Sequence, residues 1–457
     1  MNHPRSSFSG STVAPAKPVL VAPALTFKER EWQADEANAM RRFGFYCALA
    51  VVFIRFSMIH EALSYLLHIN FYLLYIFGPP AIAGCLFSGG LRRTFQYKPA
   101  RYWIGFVVCM ICATPFSSWL GGSVEFLSAH LKTEFPLLFL VAGLTMTWKE
   151  CLAVVNAIAA AALVSVIFSK ILSVEEAGRV VLTMQGGSIA NSNDYAAHLI
   201  VVLPFLVAFA MRPNRAFVFK LGAAGILCYS IFIILGTASR GAMVALIMCC
   251  LVLFLKATMP QRLAIVVTLP IAVILLISVL PAETRGRLTN FATSTKQENS
   301  DAAGSAEERT YLLKQSIRFS LENPLLGVGP GQFASYEGGV SREAGQRGSW
   351  HQAHNSFTQV SAECGIPALI FYTTALVSGI RLLNRTNKKA RQYGPRAAGI
   401  QITTLCALIA VGGFLTAIAF LNFYPKFYLP ALVGIMVTFS AAAERELGIL
   451  AIPPRRA

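Results

Sequence analysis

Charged residues are scarce in this chain. Only 13% of its 457 residues are Asp, Glu, Lys or Arg, whereas 55% are hydrophobic, and the mean hydropathy is +0.57. Soluble domains carry about 25% charged and about 45–50% apolar residues. A soluble fold around one large core is therefore excluded, and the composition is typical of a polytopic membrane protein.

Acidic residues are scarcer still, because 22 Asp and Glu face 39 Lys and Arg and leave a net charge of +17. Such an excess can indicate nucleic-acid binding. Here the basic residues concentrate in alternate segments between apolar runs, most clearly in residues 381–396, which hold six Lys or Arg and no acid. This is the positive-inside pattern of membrane proteins, so no nucleic-acid partner is predicted.

Cysteines are nearly absent outside the apolar runs. The chain has ten, and none lies in the long polar segment 282–355. No disulfide framework is therefore expected. Cys109 and Cys112 form a C-x-x-C inside an apolar run, but a zinc site needs a further pair of ligands. We interpret them as packing residues.

The apolar runs are long enough to cross a bilayer as helices, at roughly 17–25 residues each. The third and fourth are short and interrupted. We predict an all-α integral membrane protein of about twelve transmembrane helices, with one long periplasmic loop that contains short amphipathic helices. The twelve helices are centred near Val52, Ile76, Val108, Val141, Ala160, Val202, Cys228, Met248, Ile274, Leu369, Ala410 and Ile435.

Alternation of the predicted helices across the membrane gives the domain organisation. Residues 1–40 are expected to form a disordered cytoplasmic tail, because they lack the layout of a signal peptide. Residues 41–281 hold transmembrane helices 1–9, residues 282–355 form the periplasmic loop, residues 356–446 hold helices 10–12, and residues 447–457 form a second cytoplasmic tail. The loop carries eight basic and eight acidic residues, in contrast to the basic cytoplasmic segments.

Within the loop, "SAEERTYLLKQSIRFSLENP" is typical of an amphipathic helix, with Ser305 and Glu308 spaced as a capping box. At about 100° per residue, Arg309 falls in the middle of its apolar face. A cation on a buried face requires an anionic partner; alternatively, its stem extends along the face to lipid phosphates. The apolar face consists of Leu312, Leu313, Ser316 and Ile317.

Three further segments carry candidate residues. "GTASRGAM" (236–243) places Arg240 at the outward junction of the seventh and eighth helices, as an interfacial anchor or as part of an anion site. "NSNDYAAH" (191–198) opens the sixth helix, where Asn193 or Asp194 is expected to be the N-cap. "GVGPGQF" (327–333) contains Gly327 and Gly329, but lacks the strand and the Lys-Ser/Thr of a phosphate loop, so it predicts a tight turn.

The stretch "HQAHNSFTQVSAECG" (351–365) allows three interpretations: a metal site, a helix cap or an active site. A metal site lacks a convincing third ligand beside His351 and His354, and a cap explains Asn355 or Ser356 but not the histidine before them. Imidazole accepts protons near neutral pH, and guanidinium groups suit a diphosphate. One base and two phosphate-binding cations at the membrane surface indicate transfer from a lipid-linked diphosphate donor to an acceptor hydroxyl.

In this order, "SRGA", "ER", "NPLLGVGPGQF" and "HNSFTQVSAECG" resemble the O-antigen ligase and O-antigen polymerase superfamily, most specifically over residues 191–365. The resemblance implies a metal-independent, inverting glycosyltransferase of the GT-C type without a cofactor. It would use an undecaprenyl-diphosphate-linked glycan at the periplasmic face of a bacterial inner membrane. The acceptor would be a glycan, lipid A-core or another hydroxyl compound.

The resemblance also implies roles for particular residues. His354 matches the catalytic base, and Arg240 and Arg309 match the diphosphate-binding arginines. Tyr311 stands where the family often has tryptophan. Supporting roles are expected for Asn355, Glu363, His351, Gly327, Gly329 and Asn193.

Two alternatives stay open from the sequence. A polymerase would use the same donor as a ligase, with a second lipid-linked glycan as the acceptor. A flippase or other transporter would place ionisable groups near the bilayer midplane, but only Arg55 fits that description. Because the candidate residues gather at one membrane face, the enzyme is favoured.

Overall fold

A computed structural model describes residues 27–176, 179–184, 188–189, 191–213, 215–279, 282–289 and 300–450; the side chains of residues 27–31, 176, 283, 287–289 and 300–306 are not described. Residues 27–37, which fall in the predicted tail, form a helix. The rest of that tail, residues 1–26, lies outside the described residues, as do residues 451–457.

The described chain is almost wholly helical, because a bilayer offers no hydrogen-bond partners and a helix satisfies its backbone internally. The helices are α1 (Phe27–Ala37), α2 (Ala39–Ser57), α3 (Ile59–Leu67), α4 (Leu73–Phe87), α5 (Gly90–Phe95), α6 (Lys98–Ala113), α7 (Leu120–Ala129), α8 (Pro136–Leu144), α9 (Trp148–Leu172), α10 (Ser192–Ala210), α11 (Phe217–Gly236), α12 (Arg240–Lys256), α13 (Met259–Val279), α14 (Ala282–Thr289), α15 (Ser300–Glu322), α16 (Phe333–Glu343), α17 (Ser356–Gln392), α18 (Ala398–Ala417) and α19 (Tyr428–Leu450).

Helical turns of other types join some of these elements. A 3₁₀ turn follows α6 (Thr114–Phe116), a π-helical segment joins α7 to α8 (His130–Glu134), and a second 3₁₀ turn precedes α18 (Gly394–Ala397). The chain also forms one short antiparallel hairpin that an all-α prediction did not include, with β1 (Ser173–Glu176) paired to β2 (Arg179–Leu182).

Eight helical segments in the described part of the chain are long and apolar enough to cross a membrane, and α2 with α3, bent by 61°, would make a ninth. Each of the twelve predicted centres lies in a helix. The helices at Ile76 and Met248 have only 15 and 17 residues, however. An α-helical membrane protein is therefore confirmed, while the number twelve stays a prediction.

The bundle has a dense centre and a loosely attached side. Helix α10 is the most enclosed span, with 78% of its apolar window buried, whereas α13 has 0% buried. Small residues allow close helix approach: a Cβ on Gly84 would lie 2.6 Å from the Cα of Gly44, and one on Gly413 would lie 2.3 Å from Cys249 Sγ. Helices α10, α12 and α17 pack on α18, and α15, which carries Arg309, packs on α17.

Ion pairs mark the two ends of the bundle. At the end where α2 begins, Arg41 pairs with Glu150 at 2.8 Å. At the other end, Arg55 lies in the last turn of α2 and pairs with Glu134 at 3.1 Å. Arg55, predicted as a mid-span charge, lies two residues before the end of α2, and its guanidinium reaches a carboxylate where α2 bends into α3.

Helix α15 differs from its predicted form in two ways. It begins at Ser300, before the predicted cap at Ser305, whose side chain is among those not described. Its buried face is also rotated, because Ile317 is 47% exposed. Hydroxyl pairs with α17 explain the rotation: Ser316 donates to Thr358 at 2.8 Å and Ser320 contacts Ser361 at 2.8 Å.

Candidate active site

Arg240 is the first residue of α12, and the turn before it is tightly constrained. The Ser239 hydroxyl caps the helix by accepting from the N–H of Ala242. Ala238 has a φ of 50°, a left-handed conformation that is strained for any residue with a Cβ. Arg179 of β2 donates from Nε to the Thr237 carbonyl at 2.9 Å. The hairpin thus fixes the turn that presents Arg240, a role that no sequence pattern indicated.

The start of α10 lies beside this turn. Asn191, in extended conformation, caps the helix by accepting from the N–H groups of Asn193 at 2.9 Å and Asp194 at 3.0 Å. The predicted cap at Asn193 or Asp194 is therefore wrong, because both already lie inside the first turn. Their side chains are used elsewhere: Asn193 accepts from Arg179 at 3.1 Å, and Asp194 pairs with Lys426 at 3.0 Å.

Arg309 lies in line with Leu312 and Ser316 on the buried face of α15, as its position in the sequence predicted. It is half-buried. Burial lowers the pKa of its guanidinium and the charge of Arg240 lowers it further, while Glu308 raises it. Arg309 and Arg240, 69 positions apart in the sequence, therefore lie within electrostatic reach of each other.

His354 joins the same cluster. It is half-buried, and burial lowers the pKa of its imidazole, with smaller lowering effects from Arg309 and His351; Glu308 and Asp194 oppose them. Its φ of 50° is left-handed and strained. The neutral imidazole, which is the form that accepts a proton, is thus favoured at neutral pH.

Asn355 sets the position of that imidazole relative to α17. It caps the helix, and its side-chain oxygen accepts from the N–H groups of Phe357 at 2.9 Å and Thr358 at 3.1 Å. The next residue, Ser356, donates to the Leu421 carbonyl at 2.7 Å. The cap interpretation is correct for Asn355, and it leaves the side chain of His354 for another role.

His351 is held outside the cluster by an acid. Its Nδ1 lies 2.7 Å from the Oε1 of Glu308, and its side chain is 62% exposed. Hydrogen bonds from Ser349 and His351 lower the pKa of Glu308. Glu308 therefore forms hydrogen bonds with Ser349 and His351 in the loop, and it does not act as a capping-box residue. In the described part of the chain, no three His, Cys, Asp or Glu residues are grouped as metal ligands.

Glu363 lies on the other face of α17 and supports the loop. Its buried carboxylate accepts from the backbone N–H groups of Gly331 at 2.6 Å and Phe333 at 3.2 Å, and from the Tyr424 hydroxyl. Gln359 donates to Glu363 at 2.8 Å and accepts from the N–H of Ala353 at 3.1 Å. Gln359 therefore connects Glu363 to Ala353, the residue that precedes His354. Nothing in the sequence indicated this role of Gln359.

The glycine-rich segment forms the predicted tight turn against α17. Gly327 and Gly329 have φ values of 68° and 112°, which favour glycine. Their space is closed as well: a Cβ on Gly327 would lie 2.3 Å from the Glu363 carbonyl carbon, and one on Gly329 would lie 2.0 Å from Ser117 Oγ. Gly329 donates its N–H to the Glu363 carbonyl at 2.9 Å.

A second buried acid, Glu337 of α16, shapes the segment that leads to His351. It accepts from the Tyr311 hydroxyl at 3.0 Å and from the N–H groups of Ser349 and Trp350, both at 3.0 Å. The hydroxyl of Tyr311 thus forms a hydrogen bond within the loop. Glu337 belonged to no recognisable motif, because its backbone partners are twelve and thirteen residues away and Tyr311 is 26 residues away.

Comparison with known proteins agrees with this geometry. Residues 224–373 match the protein family described as O-antigen ligase, and the match includes Arg240, Arg309, His354 and Glu363. Among curated proteins, none matches the chain significantly in sequence. The predicted resemblance to the O-antigen ligase and polymerase superfamily is confirmed. The family implies a glycosyltransferase-like ligase or polymerase that uses a lipid-linked glycan donor and an acceptor.

Proposed function

We propose, from the O-antigen ligase domain at residues 224–373, that this protein is a metal-independent, inverting glycosyltransferase of the bacterial inner membrane. It moves a glycan from an undecaprenyl-diphosphate donor to an acceptor hydroxyl at the periplasmic face. His354 is the general base, and Arg240 and Arg309 bind the diphosphate. The acceptor is lipid A-core or another hydroxyl compound.

The observation that carries this proposal is that Arg240 at the start of α12, Arg309 on the buried face of α15 and His354 directly before α17 lie in the matched domain, with α15 packed on α17. The electrostatic effects among the three residues support it. The charge of Arg240 lowers the pKa of Arg309, and the charge of Arg309 lowers the pKa of His354. Two neighbouring cations repel each other, so their placement costs free energy unless an anion lies between them. A diphosphate carries the charge that relieves this repulsion, and each guanidinium can bind its oxygens in bidentate fashion.

Two of the described carboxylates near the cluster, Asp194 and Glu308, have cationic or proton-donating partners of their own. Asp194 pairs with Lys426 at 3.0 Å, and Glu308 accepts from Ser349 and His351. Such an arrangement favours binding of the donor through its diphosphate.

The chemical step follows from the arrangement. The neutral imidazole of His354 removes the proton from an acceptor hydroxyl while that oxygen attacks the anomeric carbon of the donor. A new carbon–oxygen bond forms as the bond from the anomeric carbon to the diphosphate oxygen breaks. Undecaprenyl diphosphate leaves with the electron pair, and the two arginines stabilise its developing charge. A single displacement inverts the anomeric configuration.

The lowered pKa of His354 suits this step. A general base must be deprotonated before the reaction and within reach of the hydroxyl during it. Burial and the nearby cations keep the imidazole neutral. The Asn355 cap and the hydrogen bond from Ala353 to Gln359 hold the backbone on both sides. The strained conformation of His354 is thereby maintained without substrate.

The test is reconstitution of the full chain in proteoliposomes with a fluorescent undecaprenyl-diphosphate glycan. Lipid A-core and a second lipid-linked glycan are offered as acceptors in separate reactions. The proposal expects glycan on lipid A-core, with release of undecaprenyl diphosphate. Glycan extension on the second lipid-linked glycan alone would assign a polymerase. Movement of the donor across the bilayer without any transfer would identify a transporter and overturn the proposal.

A further inference from the structure

Trp350 exposes an indole ring on the polar surface of the long loop. Its side chain is 55% exposed, and it is the one large apolar residue between Arg342 and Gln352. Residues 342–347, which precede it, are all exposed as well. A tryptophan that anchors a protein in the membrane interface lies beside apolar residues that face lipid. The polar neighbours of Trp350 indicate instead a partner in the aqueous phase.

One face of this ring is covered by the backbone of α16. A Cβ on Gly338 would lie 2.3 Å from both Cδ2 and Cε2 of Trp350. These two atoms form the bond that the two rings of indole share, and a neighbour can reach that bond only from a face. A Cβ on Gly348 would lie 3.1 Å from the indole Nε1. Two glycines therefore hold the inner face of the ring, and its outer face is turned to solvent.

The backbone of Trp350 is fixed in a strained conformation. Its φ is 59°, in the left-handed region that is unfavourable for a bulky residue. The buried carboxylate of Glu337 accepts from the N–H groups of Trp350 and Ser349, both at 3.0 Å, and so maintains this conformation. Such strain is concentrated at functional sites, where the surrounding structure holds a side chain in place before a ligand arrives.

The ring lies at the edge of the candidate active site. Ser349 and His351, on the two sides of Trp350 in the sequence, both form hydrogen bonds with Glu308. The charge of Glu308 in turn raises the pKa of His354, so this acid lies within electrostatic reach of the proposed base. A ligand that occupies the active site can therefore extend onto the outer face of Trp350.

We propose that the outer face of Trp350 binds a sugar ring of the donor glycan or of the acceptor by stacking. The C–H groups on one face of a pyranose carry partial positive charge, and the face of an aromatic ring carries the negative part of its quadrupole. The hydroxyl groups at the edge of the stacked sugar stay in contact with water and with the polar loop surface. This inference rests on the proposed function, which supplies the two sugar-bearing substrates.

The test compares ligands that differ only in their sugar. Full-length protein in detergent is titrated with an undecaprenyl-diphosphate glycan and with undecaprenyl diphosphate, and separately with lipid A-core and with lipid A. Binding is measured by microscale thermophoresis of dye-labelled protein, and thermal unfolding shows that each variant is folded.

Two pairs of variants isolate the ring. Trp350→Leu keeps an apolar side chain without an aromatic face, whereas Trp350→Phe keeps an aromatic face. Gly338→Ala displaces the ring, because the new Cβ would lie 2.3 Å from it. Gly339→Ala, on the same helix, is its matched control, because a Cβ there has nothing within 4 Å.

We expect Trp350→Leu and Gly338→Ala to bind one of the two sugar-bearing ligands about two- to tenfold more weakly, which is the range for an aromatic contact. Trp350→Phe should lose less, and Gly339→Ala should bind as the wild type does. The ligands without the sugar should bind all variants alike. In transfer assays the KM for the affected ligand should rise while kcat changes little, and that ligand identifies the stacked sugar as the donor's or the acceptor's.

Several results would overturn the inference. Equal binding of both sugar-bearing ligands by the wild type and by Trp350→Leu would show that no sugar stacks on the ring. Equally weakened binding of the ligands without the sugar would assign the ring to the lipid portion of the ligand. A fall in kcat with unchanged KM values would make Trp350 a structural residue of the loop. Because binding is measured without turnover, this inference and the proposed transfer reaction can fail separately.

Discussion

The carboxylate of Glu363 on α17 accepts a hydrogen bond from the backbone N–H of Gly331 at 2.6 Å. This contact fixes the glycine-rich turn against the helix that begins directly after His354 and Asn355. Because Gln359 connects Glu363 to Ala353, a disturbance of the turn should displace the imidazole. The glycine-rich turn is therefore a structural support that acts on the site through α17.

The first prediction concerns that turn. Gly327→Ala introduces a Cβ 2.3 Å from the Glu363 carbonyl carbon at a φ of +68°, so backbone must move. Gly345→Ala is the matched control, since its φ is +72° but nothing lies within 4 Å. The control should lose about 1–2 kcal/mol from its left-handed backbone alone. Thermal unfolding should show a clearly larger loss of stability for Gly327→Ala than for Gly345→Ala. Equal losses would show that the glycine-rich turn does not support α17.

The second prediction concerns the arginines. Lysine keeps the charge of Arg240 and Arg309 but lacks the planar fork that binds a diphosphate. Arg240→Lys and Arg309→Lys should each reduce transfer by roughly 10²-fold. Arg318→Lys is the control, because Arg318 lies on α15 and pairs with Glu322 at the exposed surface. Activity is measured in proteoliposomes at saturating acceptor, and full activity of both variants would reassign the arginines as membrane-surface anchors.

The third prediction concerns pH. Because the neutral imidazole is the active form and its pKa is lowered from 6.5, transfer should fall on the acid side only below that value. Glu308 raises the pKa of His354 and His351 lowers it. Glu308→Gln should therefore move the acid limb of the rate profile to lower pH, and His351→Ala should move it to higher pH. Shifts in the same direction in both variants would show that His354 does not set this limb.

The fourth prediction concerns topology. A cysteine at Gln346, exposed in the long loop, should react with a membrane-impermeant maleimide from the periplasmic side. One at Lys388, exposed near the end of α17, should react only after the inner membrane is disrupted. The unmodified protein, with its ten native cysteines, gives the background labelling. The opposite pattern would place the site on the cytoplasmic side.

The sequence predicted the membrane class and the candidate cluster for physical reasons. Hydropathy reports which segments lie in lipid, and an arginine on an apolar helix face is unusual enough to notice at Arg309. Residues whose partners are distant in sequence carried no such signal. Arg179 acts on a carbonyl 58 positions away, and Tyr424 acts on Glu363 61 positions away.

Errors in the predictions came from local patterns that distant contacts override. Ser305 and Glu308 have capping-box spacing, but Glu308 is used by His351. Asn193 was a plausible cap, but Asn191 takes that position and Asn193 binds Arg179. In each case the side chain could form a local hydrogen bond, but it binds a residue that tertiary packing brings close. Residue spacing in the sequence does not reveal such a partner.

The most direct test of the account is transfer by His354→Ala beside His351→Ala. Both variants are reconstituted in proteoliposomes with an undecaprenyl-diphosphate glycan and acceptor, and donor binding is measured separately. Loss of a general base costs roughly 10²–10⁴-fold, so His354→Ala should lose that much activity while it still binds donor. His351→Ala should lose much less, because His351 pairs with Glu308 at the exposed surface. Near-normal turnover by His354→Ala would contradict the assignment of His354 as the base.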